Sequence, residues 1–179
     1  MMSGSLRAGS SNTAAIDTAA ELAPAGWTTT VYRGMNELPH FNPDDDGDPV
    51  GLVDSVVRLR SAIEASDAIL ICTPEYAGAL PGSLKNLLDW TVGGMEIVGK
   101  PVAWLNVSAN ATHAADAHDS LRKVLGFTGT DIVEPACVDI PVARADINDE
   151  VRVVKEEFVV GATAALRTLT DHVISAAAV

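Results

Sequence analysis

Ala68-Ile69-Leu70-Ile71-Cys72, followed at once by Thr73-Pro74-Glu75-Tyr76-Ala77-Gly78-Ala79-Leu80-Pro81-Gly82, is the stretch on which the fold turns. Five apolar residues without alternation have the length of a strand and the composition of one buried on both faces. Pro81-Gly82 then opens a helix with Leu84, Leu87 and Leu88 inward. The same order recurs downstream, where residues 101–107 form a second buried strand and residues 113–125 a helix ending at Gly126. Upstream, residues 10–23 predict a helix capped by Asn12 or a neighbouring serine and stopped by Pro24-Ala25-Gly26. Residues 27–32 are β-branched and aromatic, a short strand. Residues 34–51, with the acidic run Asp44-Asp45-Asp46-Gly47-Asp48, are loop. Leu52, Val53, Val56, Val57, Leu59 and Ile63 predict one apolar helix face, with Arg58 and Arg60 outside it. Residues 131–133, resumed at 137–140, are the next strand. Ile147, Val151, Val154, Phe158, Ala162, Leu169 and Val173 trace a long closing helix. Strands alternating with helices mean an α/β protein with a doubly wound parallel sheet covered on both faces.

Length and charge narrow the class further. The 179 residues make one domain, residues 1–179, and no linker or repeat divides them. Twelve basic against 24 acidic residues give a net charge of −12, which repels phosphate backbones and anionic membranes. Neither nucleic-acid binding nor membrane attachment is expected. Apolar residues at 47% supply a sizeable core, and no apolar stretch is long enough to span a bilayer. Cys72 and Cys137 lack metal-ligand or disulfide spacing. A cytoplasmic protein without a targeting segment is the expectation.

Ligands in such sheets sit beyond the carboxyl ends of the strands, where the strand order reverses. The loops to inspect are therefore residues 3–12, 73–81 and 106–113. Ser3-Gly4-Ser5-Leu6-Arg7-Ala8-Gly9-Ser10-Ser11-Asn12 gathers hydroxyls, glycines and one arginine at a helix start. Helix-terminal N–H groups point at an anion, hydroxyls add donors, and Arg7 adds a forked cation. The loop suits one phosphate, and it has neither the GxGxxG nor the Gly-Lys-Ser/Thr pattern. The alternative is a tail that merely caps a helix. Glu75 and Tyr76 stand at the crevice rim, where backbone amides and an aromatic suit a flat polar heterocycle. Lys85 and Asp89 form an i,i+4 surface pair, while Tyr76 and Trp90 could instead be core or interface aromatics.

Gly4-Ser5-x-Arg7-x-x-Ser10-x-Asn12, and about sixty residues later Pro74-Glu75-Tyr76-x-x-x-x-Pro81-Gly82-x-Leu84-Lys85-Asn86-x-x-Asp89-Trp90, resemble the NADPH-dependent FMN reductase family. Its members are flavodoxin-like and include quinone, chromate and azo-dye reductases. The resemblance runs over nearly the whole chain. It implies FMN as cofactor, with Ser5, Arg7, Ser10 and Asn12 at its phosphate. Pro74, Glu75, Tyr76 and Ala77 would lie at its ring, with Ser108 on the third loop. It further implies NADPH or NADH as hydride donor to flavin N5, a small quinone-like acceptor, and a homodimer or homotetramer. The flavin carries the chemistry, so no catalytic side chain is assigned.

Three departures stand out. Ala77 replaces the family's usual Asn and removes a side-chain amide beside the flavin. The third loop, Ser108-Ala109-Asn110-Ala111-Thr112-His113-Ala114, lacks the usual glycine pair. Only Met1-Met2 precede Ser3-Gly4-Ser5, so the usual first strand is missing or truncated. That would leave two ladders unpaired, at about 1–3 kcal/mol per buried amide. The gap requires an apolar upstream extension of roughly six to eight residues, or another segment in its place. Two other functions stay open: an electron-carrier flavodoxin, and a degenerate flavodoxin-fold binding or assembly module with weak or no flavin affinity.

Lesser candidates carry no assignment. Asn42-x-Asp44-x-Asp46-Gly47 begins like a calcium loop but has Val53 where a bidentate Glu is needed. His113 and His118 are five apart, off the i,i+4 spacing, and a surface or loop role is expected for them. His113 does sit on a crevice loop. Cys72 reads as a core residue.

Overall fold

The computed structural model describes residues 1–46, 51–110, 112 and 114–178. Strands β1 (Met2–Ser3), β2 (Ile69–Cys72), β3 (Pro101–Asn106), β4 (Asp131–Ile132) and β5 (Val138–Asp139) form one parallel sheet. β1 pairs with β2 (Met2 opposite Ile71, Ser3 opposite Cys72), and β2 pairs with β3. β4 and β5 both pair with β3, at its two ends. They are one strand interrupted by a 3-10 turn at Glu134–Ala136. On the far side of β1 a single parallel bridge joins Met2 to Tyr32. The spatial order is therefore Tyr32, β1, β2, β3, β4/β5, which is the flavodoxin-like doubly wound order.

Helices α1 (Ser11–Glu21) and α5 (Glu156–Ala177) cover one face, and α2 (Asp54–Glu64), α3 (Gly82–Asp89) and α4 (Ala115–Phe127) the other. The pleat divides the sheet between two cores. Leu70, Cys72, Ala103 and Leu105 point toward Ile16, Phe158 and Leu166, whereas Ile69, Ile71, Val102 and Trp104 point toward Leu59, Leu84 and Leu121. That explains why β2 and β3 read as unbroken apolar runs. Among the described residues, no helix is long and apolar enough to cross a membrane.

The first strand is present as two residues, and it is central. Residues 27–32 do not form the expected strand: only Tyr32 bridges, because a strand exists only where it has a partner, and β1 reaches no further. The closing helix starts at Glu156, not near Ile147. Val151 has φ 58°, a conformation that ends any helix, and Arg152 N–H donates to Asn148 Oδ1. Instead Ile147 pairs with Val153.

The face of α2 is also rotated from its expected position. Val53 and Val57 are exposed, while Arg60 is buried. Its guanidinium bonds to Trp90 O at 2.9–3.0 Å and to Asp46 Oδ1 at 2.5 Å. A pattern of apolar residues cannot register a buried cation whose partners lie on two other segments. Trp90 itself is core, edge-on to Phe41 with Nε1–H donating to Pro39 O. His118 is buried as well, against Trp104, where its Nδ1–H donates to Ala114 O. The Lys85–Asp89 surface pair forms as expected, at 2.5 Å.

Candidate functional site

The chain leaves β1, crosses α1 to the Tyr32 side, and returns through α2 to β2 on the other side of β1. The strand order thus reverses between β1 and β2, and the loops that follow these two strands part at that point. Gly4 N–H donates to Cys72 O at 2.8 Å, which ties the loops together at their roots. A Cβ on Gly4 would lie 2.8 Å from Thr73 Cβ and 2.9 Å from Leu84 Cδ2, so only glycine allows this approach.

The first loop is folded by its own hydroxyls. Ser3 Oγ accepts from Ser5 N–H, Ser5 Oγ from Arg7 N–H, and Ser10 Oγ from Asn12 N–H as the N-cap of α1. A hydroxyl that accepts in this way keeps its own proton to donate. No acceptor is present for the N–H groups of Leu6, Ala8 and Ser11 among the described residues. Arg7 is exposed and holds no ion-pair partner there. Free N–H donors, free hydroxyl protons and an uncommitted guanidinium at a helix start fit a phosphate.

The structure adds one residue that sequence reasoning missed. Arg144 Nη1 donates to Gly9 O at 3.0 Å, bringing a second guanidinium to the loop from 135 positions away. No signal in the sequence marks it, because the link is made only by the fold. Asn12 Oδ1 accepts from Cys72 Sγ at 3.3 Å, joining α1 to β2. Burial pushes the Cys72 thiol well up, so it stays protonated and acts as a donor, in keeping with a core role.

The second loop is a tight hairpin. Tyr76 and Ala79 exchange both backbone hydrogen bonds, at 3.1 and 3.2 Å. The two central residues, Ala77 and Gly78, have φ 52° and 70°, as a type I′ turn requires. Asn tolerates this conformation and Ala does not, which gives the Ala77 departure a cost in strain as well as a lost amide. Ala77→Asn is expected to stabilise the protein by about 1 kcal/mol, a rise of roughly 2–4 °C in Tm. Thermal melts of the two proteins check it, and an unchanged Tm would mean the turn relaxes without strain.

Tyr76 is half exposed at the rim. Glu75 turns elsewhere: its Oε2 accepts from Ala117 N–H in the first turn of α4, at 3.2 Å. That helix has no capping side chain of its own, since Ala114 precedes it, so Glu75 supplies the cap. What Glu75 offers the crevice is therefore its backbone. Across the crevice, Asn106 Oδ1 accepts from Ser108 N–H, and Asn110 Oδ1 from Ala114 N–H. His113 and Ala111 lie outside the described residues.

A cleft of about 200 Å³ opens between these loops. It brings together Asn12, Pro74, Glu75 and Ser108 from the expected set, with Ser11, Val107 and Val142 beside them. Ser5, Arg7, Ser10, Tyr76 and Ala77 do not line it. They stand around it, on the first loop and on the hairpin.

A family model described as NADPH-dependent FMN reductase matches residues 1–144. The chain belongs to this family. It is 39% identical over 128 residues to the NAD(P)H-dependent FMN reductase PA1204 of Pseudomonas aeruginosa, a match covering 70% of this chain and 68% of that one. It is 32% identical over 143 residues to a quinone reductase of Pseudomonas putida, covering 78% and 73%. Among solved structures it is similar to FerB, a flavoenzyme NAD(P)H:(acceptor) oxidoreductase from Paracoccus denitrificans, with TM-score 0.78, 29% identity, and coverage of 97% and 95%. Membership of the family makes the protein a flavodoxin-like oxidoreductase, with FMN as cofactor and NAD(P)H as co-substrate.

Proposed function

We propose that the protein oxidises NADPH or NADH and reduces a small quinone-like acceptor in the cleft between the β1 and β2 loops. FMN, when bound, supplies the redox chemistry, and the protein supplies position and electrostatics. The observation that carries the reading is the cluster of uncommitted donors on the first loop, at the point where the strand order reverses. Arg7, Ser5 and Ser10 hold the phosphate, assisted by Asn12 and, from outside the loop, by Arg144. Pro74, Glu75 and Ala77 offer backbone groups to the ring, Tyr76 shelters it, and Ser108 closes the other side. The hairpin's two positive-φ residues fix that backbone before any ligand arrives, which lowers the ordering cost of binding.

Assembly into a homodimer or homotetramer belongs to the same proposal. Val92, Met95 and Phe127 are exposed apolar side chains that such contacts would cover. Two unpaired cysteines suit a reducing compartment such as the cytoplasm. The carrier and binding-module alternatives draw no support from the family match.

An absorbance spectrum with and without added FMN, followed by NADPH oxidation in the presence of a quinone, tests the function. Purified protein is expected to take up FMN and to turn over NADPH without a partner protein. Protein that shows no flavin signal on titration would overturn the reading.

A further inference from the structure

The two ends of the cleft carry opposite charge. Arg7 and Arg144 stand at the first loop, Arg144 through its bond to Gly9 O. At the hairpin end the charges are carboxylates. Glu75 is half-buried where the chain enters the hairpin, and its Oε2 accepts from Ala117 N–H at 3.2 Å. Asp116 is exposed in the first turn of α4, and a Cβ on Gly78 at the hairpin tip would stand 3.9 Å from its Oδ2. Among the described residues, neither carboxylate is paired with a cation.

The start of α4 asks for an acceptor, not for this much charge. Ala114 precedes the helix at φ 52°, and its methyl cannot cap. Ala115 N–H donates to Thr112 O, and Glu75 takes Ala117 N–H. A neutral side-chain oxygen caps a helix as well as a carboxylate does. The helix end carries about half a positive charge, which two carboxylates outweigh. The surplus negative charge sits on and beside the hairpin.

On the reading proposed above, on which this inference rests, the flavin ring lies beside that hairpin. Delivery of a hydride from NAD(P)H brings two electrons and one proton to the ring site, which thereby gains one negative charge. Passing the hydride to a quinone, with a proton taken from water, removes that charge. A carboxylate fixed beside the site opposes the first change and favours the second.

We propose that the Glu75 carboxylate, held by the start of α4, lowers the reduction potential of bound FMN, with Asp116 as a weaker second contributor. The reduced site is thereby a stronger donor toward its acceptor. The carboxylate acts through its field and touches no reacting atom.

The test is a redox titration of bound FMN in the parent protein, in Glu75→Gln and in Asp116→Asn, each at low and at high salt. Glu75→Gln keeps an oxygen for Ala117 N–H and loses only the charge. Its ratio of reduced-FMN to oxidised-FMN affinity is expected to rise about tenfold, an upward shift of about 30 mV for a two-electron couple. Most of that shift is expected to survive high salt, because Glu75 is half-buried. Asp116→Asn is expected to give a smaller upward shift that high salt removes, as it does for an exposed charge. Equal potentials in the parent and in Glu75→Gln would overturn the proposal and leave the flavin reading intact. A Glu75→Gln protein that no longer takes up FMN would assign the carboxylate to holding the site together and overturn it as well. A parent protein that takes up no FMN would overturn both.

Discussion

Arg7→Ala is expected to weaken FMN binding ten- to a hundredfold while leaving riboflavin binding unchanged. Arg7 stands on a loop whose backbone is already folded by Ser3, Ser5 and Ser10, and its side chain takes no part in that folding. Removing it therefore deletes a ligand contact and little else. A charge-assisted hydrogen bond is worth about 1.5–3 kcal/mol, which gives the range above. Riboflavin lacks the phosphate, so it reports on the ring site alone. The measurement is a pair of titrations, one per ligand, on both proteins. An equal loss for the two ligands would assign Arg7 to the fold. The effect is tempered by Arg144, which reaches Gly9 from the other side and stays in place.

Gly4→Ala is expected to damage stability and FMN affinity together. The new methyl would meet Thr73 and Leu84 within 2.8–2.9 Å, and Leu84 is fully buried at the start of α3. Neither neighbour can swing out of the way, so the first and second loops must move apart. Overpacking of this kind costs about 1–3 kcal/mol, and each kcal/mol lowers Tm by roughly 2–4 °C in a chain of this size. The same movement stretches the Gly4–Cys72 hydrogen bond and opens the cleft. Thermal melts and FMN titrations measure the two effects. A variant that melts normally and binds FMN normally would mean that the loops tolerate separation.

These two residues differ in how they could be found. Arg7 is legible from its neighbours in sequence, because hydroxyls, glycines and a cation before an apolar helix announce an anion site. Gly4 is legible as a loop glycine, but the reason for it is Thr73, sixty-nine positions away. Glu75 shows the same division. Its place on the crevice hairpin follows from the strand before it and the helix after it. That its carboxylate turns away to cap α4 depends on where α4 lies. Ala77 was legible only as a departure from the family's Asn, and its φ of 52° supplies the physical cost.

The sequence by itself determined the class of fold, the buried strands β2 and β3, the two-piece outer strand and the loops around the site. Those features follow from periodicity and from the residues that start and stop elements, and both act over a few positions. Tertiary structure alone decided that residues 27–32 form no strand and only Tyr32 bridges, that Arg60 turns inward to Trp90 O and Asp46, and that Arg144 joins the first loop. Each of these rests on a partner distant in the chain. A strand needs a neighbouring strand and a buried cation needs its acceptors. Whether those partners arrive is fixed by the winding of the sheet, not by the residues beside them.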